Sequence, residues 1–347
     1  MSVQQFADFP DREKPIVPTS DSPATATPSG GLFERALAGD RLALARAISL
    51  VENEAGPAEA LLAAAFPRTG QGLRIGITGP PGAGKSTLTA RLARAYREAG
   101  SKVAIVAVDP TSPFSGGAVL GDRVRMWELA GDPGVYIRSM ASRGSLGGLA
   151  AATSDVCDVL EAVGFERILI ETVGVGQSEL EVAETADTTL VVLVPESGDA
   201  VQALKAGLME IGDVFAINKA DREGAERAAH AVRSMLHLGA HRDGWEPPVV
   251  LTVASEGTGV AGLVETIDRH VAHLAEKGQL ARRRRRRLGE RIEAHIAARS
   301  RAGYRERVPE ARREEVLSQV ERRALTPVQA ARLLFEEAWP AERGDTR

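Results

Sequence analysis

The chain has little of what would tie it to an oxidising compartment, a membrane or a metal knuckle. Of its 347 residues only Cys157 is a cysteine, which excludes an intramolecular disulfide and any Cys-x-x-Cys pair. No apolar run approaches the roughly 18 residues that a membrane-spanning helix needs. The first residues show no charged stretch followed by an apolar core, so no secretory signal is legible and the expected location is the cytoplasm. Aromatics make up 4% of the chain against 44% hydrophobic residues, so a core must be built from Ala, Val, Leu and Ile. The net charge of −4 argues against general nucleic-acid binding.

What is present divides the chain into four stretches. Residues 1–30 are rich in Pro, Ser, Thr and Asp and read as a disordered leader. Residues 31–68 read as an N-terminal helical collar, interrupted at Gly39-Asp40 and at Gly56-Pro57. From 69 to 270, apolar strand candidates alternate with helical stretches: 73–78, 103–108, 134–138, 167–171, 189–194, 213–217 and 248–253. Apolar runs without alternation, separated by helices, predict an α/β fold with a mostly parallel sheet covered on both faces. Residues 271–347 form an Arg-rich helical arm with a net charge of about +7. Its six consecutive arginines, Arg282–Arg287, read first as a solvated helix with like charges spread around it. A docking surface for an acidic partner is the second reading; nucleic acid is disfavoured because no aromatics interleave with the basic run.

The first chemical signature is Gly-Pro-Pro-Gly-Ala-Gly-Lys-Ser-Thr at 79–87, a complete G-x-x-x-x-G-K-[ST] loop between a strand candidate and a helix candidate. Gly79, Gly82 and Gly84 let the backbone curl, so that N–H groups through Ala83 point inward around an anion. The helix starting near Lys85 adds its positive dipole end. Lys85 can reach the terminal phosphates of a nucleoside triphosphate, and Ser86, followed by Thr87, can offer its hydroxyl to Mg²⁺. The expected fold is therefore that of a P-loop NTPase, with nucleotide at the carboxyl ends of the strands.

Two further signatures sharpen the ligand. Asn218-Lys219-Ala220-Asp221 directly follows a strand candidate. A carboxylate at Asp221 can accept from both the N1–H and the exocyclic amine of guanine, whereas adenine would leave it unpaired. Val253-Ala254-Ser255 sits where a short loop could cap the base with backbone N–H groups, Ser255 among them. Glu171-Thr172-Val173-Gly174 closes another strand candidate; there an acid supports Mg²⁺ and the Gly174 N–H meets the γ-phosphate. Asp109 ends the second strand candidate and Asp122 sits in the following Gly-rich loop, two carboxylates suited to Mg²⁺ and its water shell. A turn-initiating Asp-Pro and a helix N-cap are the plainer readings of these two.

The blocks GPPGAGKST (79–87), DPTSPFSGGAVLGDRVRM (109–126), RGSLGG (143–148), ETVGVGQSE (171–179) and NKAD (218–221) together resemble one family. It comprises the MeaB/ArgK-type GTPase chaperones of adenosylcobalamin-dependent acyl-CoA mutases, related to the human methylmalonic aciduria type A protein. The resemblance implies GTP and GDP as ligands with Mg²⁺, a homodimer held by the C-terminal arm, and GTP-gated loading or protection of cobalamin on a mutase. It places Lys85, Ser86, Asp109, Asp122 and Glu171 at the phosphates and Mg²⁺. It assigns Arg125, with Asp199, Gln202 and Lys205, to switches that respond to nucleotide and partner. Arg125 also has its own rationale, since a guanidinium stabilises charge on a transferred phosphoryl group. The loop reads RSMASRGSLGG where RPSPSSGTLGG is expected, and Ala206 replaces a second lysine. Both changes lie in loops facing a partner, so methylmalonyl-CoA mutase and its relatives all remain open as that partner. No D-x-H-x-x-G cobalamin motif is present: Asp268-Arg269-His270 is followed at the glycine position by His273.

Two other functions compete. A nickel-insertion GTPase needs His or Cys clusters, which six scattered histidines and one cysteine do not supply. A transport-associated kinase needs a base near the γ-phosphate, and no fitting aspartate is evident. Val175 stands where many GTPases place a water-orienting glutamine, with Gln177 displaced by two positions. Intrinsic GTP hydrolysis is accordingly expected to be slow. Single-turnover hydrolysis by the isolated protein at tens per second would contradict that expectation.

Overall fold

The computed structural model describes residues 28–53, 56–110, 129, 131–142, 148–172, 178–195, 207–238 and 244–340. Seven strands form one sheet: β1 (Leu73–Thr78), β2 (Val103–Pro110), β3 (Val135–Ser142), β4 (Arg167–Thr172), β5 (Thr188–Leu193), β6 (Val214–Asn218) and β7 (Val249–Thr252). Their order is β3-β2-β4-β1-β5-β6-β7, and every pairing is parallel. All seven arise from the apolar runs read as strands. Their bounds shift most at β2 and β3, which pair as far as Asp109↔Ala141 and Pro110↔Ser142.

Parallel pairing demands crossovers, and helices lie in them: α4 (Lys85–Glu98), α5 (Gly148–Ala162), α6 (Ser178–Thr185), the short α7 (Leu208–Ile211) and α8 (Ala225–Leu238), while α9 (Val260–Glu276) follows the last strand. Alternate strand residues feed opposite faces. Ile75, Ile77, Ile105, Leu169, Val192 and Ala216 pack with Leu88 and Leu92 of α4 and Leu263 and Ile267 of α9. On the other face Val106, Ile168 and Ile170 meet Val156 and Leu160 of α5, while Phe215 and Ile217 meet Val232 of α8. Each of the buried Val, Leu, Ile and Phe side chains among them contributes about 1.5–3 kcal/mol.

Three helices, α1 (Pro28–Leu37), α2 (Arg41–Glu52) and α3 (Ala58–Ala65), cover the β3 side of this second face. Phe33, Ile48 and Leu61 join the same core as Tyr136, Met140 and Leu160. Asp40 caps α2 by accepting from the Leu42 and Ala43 N–H groups. Cys157 is buried on α5, where burial pushes its thiol up to about 12 and leaves it inert.

Beyond α9 the chain forms α10 (Gln279–Arg307), α11 (Glu310–Glu321) and α12 (Pro327–Ala338). At 29 residues α10 is about 44 Å long. Here the structure corrects the reading of the arginine run as a solvated helix. Arg282, Arg285 and Arg286 are exposed, but Arg283, Arg284 and Arg287 turn inward onto carboxylates at the amino ends of the strands. Arg284 grips Asp187 with Nε at 3.0 Å and Nη2 at 2.9 Å and also donates to the carbonyls of Gly70 and Gly72. Arg287 shares Asp187 and donates to the Thr185 carbonyl at 3.0 Å, at the end of α6. Arg283 contacts Asp213 at 3.1 Å, and Arg291, one turn beyond Arg287, spans Asp155 and Asp158 of α5. Buried Arg74 completes the array by pairing with Asp158 and Glu161.

Burial opposes the charge of Asp187, yet Arg287 and Arg284 outweigh it and hold the carboxyl well below the ordinary carboxylate range. A depressed folded-state pKa means the stabilisation is complete above the unfolded value of about 4 and is lost as pH falls below it. Asp187→Ala is expected to lower stability by about 3–5 kcal/mol at neutral pH, because it strands two partly buried guanidiniums. The same variant flattens the acid limb of the stability profile; denaturant midpoints measured between pH 3 and pH 7 check both effects.

Candidate nucleotide-binding site

Strand β1 ends at Thr78, residues 79–84 turn sharply, and α4 begins at Lys85. Two glycines in this turn are required by space as well as by backbone. At Gly79, φ is 139° and a Cβ would lie 2.1 Å from the Val192 carbonyl oxygen. At Gly84, φ is 88° and a Cβ would lie 2.4 Å from Asn218 Nδ2. The buried Lys85 lies back along the loop, its Nζ donating to the carbonyls of Gly79 at 2.7 Å and Pro80 at 3.1 Å. That places its charge inside the curl of the loop, where an anion would sit.

Neighbouring β4 delivers the acid. Ile77 of β1 is in register with Glu171 of β4, so the two strand ends lie side by side. Ser86 Oγ donates to Glu171 Oε1 at 2.5 Å, and both side chains are buried. Thr87 and Gly82 are exposed at the rim, and Ala83 is buried.

The base-reading residues stand two strands away, and one side chain ties them to the phosphate loop. Asn218 ends β6; its Nδ2 donates to the Ala83 carbonyl at 2.8 Å. Its Oδ1 accepts from the Ala254 N–H at 3.0 Å and from Thr252 Oγ1 at 3.2 Å. Lys219 follows at φ 58°, a left-handed conformation that costs a non-glycine residue about 1–2 kcal/mol. Asp221 and Ser255 are both exposed at this end of the sheet. The sequence reading assigned Asn218 to nucleotide contact; its role as the hub joining three loops was not legible. It also missed Arg91 on α4, which donates to the carbonyls of Ala254 and Ser255.

The remaining expected residues are not brought to the site by anything described. Asp109 lies at the carboxyl end of β2, where only its backbone is described. Asp122, Arg125, Gly174, Asp199, Gln202 and Lys205 lie outside the described residues. His270, of the partial cobalamin-like match, is buried on α9 with Nδ1 2.7 Å from Thr188 Oγ1, a core position.

Comparison with known proteins settles what this geometry belongs to. The family described as "Methylmalonyl Co-A mutase-associated GTPase MeaB" matches residues 44–325. The chain belongs to the MeaB family of GTPases. It is 47% identical over 313 residues to a Pyrococcus horikoshii protein named as a GTPase, covering 89% of this chain and 98% of that one. It is 39% identical to the Escherichia coli GTPase ArgK over 250 residues, 70% of this chain and 76% of the other. The mouse methylmalonic aciduria type A homolog is 35% identical over 271 residues, 73% of this chain and 65% of the other. A solved structure titled LAO/AO transport system kinase is similar with a TM-score of 0.66 at 29% identity, covering 91% of this chain and 99% of that one. The fold is thus that of the P-loop GTPases, and the family membership carries guanine-nucleotide binding and GTP hydrolysis. Among the described residues no helix is long and apolar enough to cross a membrane.

The close approach at Gly84 yields a test. In Gly84→Ala the new methyl must displace Asn218 while the backbone is held at positive φ. Strain of a few kcal/mol is expected to weaken GDP binding on the order of 100-fold, read by titration with a fluorescent GDP analogue.

Proposed function

We propose that the protein is a GTP-hydrolysing chaperone that gates cobalamin loading or protection of an adenosylcobalamin-dependent acyl-CoA mutase, methylmalonyl-CoA mutase or a relative. The observation that carries the reading is the match of residues 44–325 to a family described as mutase-associated. The ETVGVGQSE block, whose Glu171 accepts from Ser86 of the nucleotide loop, supports it. Lys85 would bind the terminal phosphates, and Asp221 with the Ser255 N–H would read guanine.

Mg²⁺ fits the donors present. Ser86 Oγ and Glu171 Oε1 are buried hard oxygens 2.5 Å apart beside the phosphate loop, the donor chemistry this ion prefers. They would hold it, with Asp109 and Asp122 in support, and when bound it would neutralise charge on the phosphate oxygens. Arg125 would stabilise the transferred phosphoryl group. Asp199, Gln202 and Lys205 would couple nucleotide state to the partner. A homodimer through the C-terminal arm agrees with the exposed stripe Leu288, Ile292 and Ile296 along α10, 41%, 60% and 60% exposed. In this reading 69–270 is the GTPase unit of a cytoplasmic protein, 31–68 its collar and 271–347 its assembly arm.

The experiment is a GTPase assay with and without an adenosylcobalamin-dependent acyl-CoA mutase from the same source. Stimulation of at least about ten-fold is expected, equivalent to about 1.4 kcal/mol of barrier. A rate unmoved by any such mutase would overturn the chaperone reading while leaving the GTPase intact.

A further inference from the structure

We propose that Arg91 is a positioning residue for guanine recognition, fixing the Ala254–Ser255 peptide so that the Ser255 N–H is presented to the O6 of the base. The inference rests on the guanine-nucleotide reading of this cleft and adds a residue to it. Arg91 projects from α4, the helix that opens with the phosphate-loop lysine. Its Nε donates to the Ala254 carbonyl at 2.9 Å, and its Nη2 donates to the Ser255 carbonyl. A guanidinium is a rigid planar fork, so gripping two successive carbonyls sets both position and orientation of the loop.

The consequence follows from peptide geometry. No cis peptide bond is present among the described residues, so fixing the Ala254 carbonyl points the Ser255 N–H the opposite way, away from Arg91. The other amides of this turn are committed. The Ala254 N–H goes to Asn218 Oδ1 at 3.0 Å. The N–H groups of Glu256 and Gly257 go to the Val253 carbonyl at 3.0 and 2.9 Å. That leaves the Ser255 N–H as the one amide of residues 254–257 with no acceptor among the described residues. Arg91 holds the peptide from one flank and Asn218 from the other, and Asn218 also holds the Ala83 carbonyl of the phosphate loop.

An N–H donor at this point matches the O6 acceptor of guanine and hypoxanthine and opposes the N6 amine of adenine. Arg91 therefore acts equally on guanosine and inosine nucleotides. Asp221 acts on the N1–H that both carry and on the 2-amino group that only guanosine carries. The two contributions separate in a competition assay, with a fluorescent GDP analogue displaced from the full-length protein by GDP, IDP, XDP and ADP. Arg91→Ala is expected to weaken GDP and IDP by the same factor, about ten-fold, the loss of one well-placed hydrogen bond. The GDP:IDP ratio and the affinity for ADP stay unchanged. Arg91→Lys, which keeps the charge but can reach only one carbonyl, falls between the two. Unchanged GDP affinity in both variants overturns the proposal. So does a changed GDP:IDP ratio, or a lowered melting temperature with wild-type affinities, which marks a merely structural role. Asp221→Asn tests the underlying reading by itself: a shift from GDP toward XDP supports it, and no shift removes both it and the inference.

Discussion

A sheet whose seven strands all run one way has two chemically different ends, and the rest of this molecule is arranged around that polarity. The carboxyl ends deliver Gly79, Glu171, Asn218 and the 253–257 turn to one rim, where the loops can meet a nucleotide. The amino ends deliver Asp187 and Asp213 to the opposite rim, where α10 lays its arginines across them. Chemistry and anchoring are thus separated by the length of a strand. The helices α5 and α6 run between the two rims, with Arg291 and Arg287 holding points along them.

On the chemical rim, the economy of the site lies in Asn218. Phosphate loop and base loop follow β1 and β7, strands separated by β5 and β6 in the sheet, yet a single carboxamide bonds to both. An amide side chain can do this because it carries a donor and an acceptor on one short stem. Aspartate at the same place would offer only acceptors and would face the Ala83 carbonyl unfavourably. The spacing between the two nucleotide grips is therefore set by a covalent length rather than by the flexibility of two independent loops.

Strand positions were readable because a doubly covered parallel sheet leaves an unusually plain mark: uninterrupted apolar runs such as VAIVAV and TLVVLV. The phosphate loop was readable because Gly79 and Gly84 are compelled by contacts that admit no side chain, so the pattern is narrow. Long-range pairing was harder. Nothing local to Arg283, Arg284 and Arg287 announces that Asp213 and Asp187, some 70 and 100 residues earlier, are their partners. Helical geometry then decides the matter, since positions i, i+1, i+4 and i+8 share a face, and a run that looks uniform in sequence becomes two-sided in space. Arg91 was silent for the same reason: one arginine on an amphipathic helix carries no mark of the loop it reaches.

The inward arginines also bear on whether the nucleotide-binding half can live alone. Were the polypeptide severed after α9, Asp155, Asp158, Glu161, Asp187 and Asp213 would keep only Arg74, among the described residues, as an inward guanidinium. Such crowding of like charge in a poorly hydrated seam favours proton uptake or local melting. The amino rim would then loosen first. Excising the arm to obtain a minimal hydrolase would remove part of the catalytic half's own foundation.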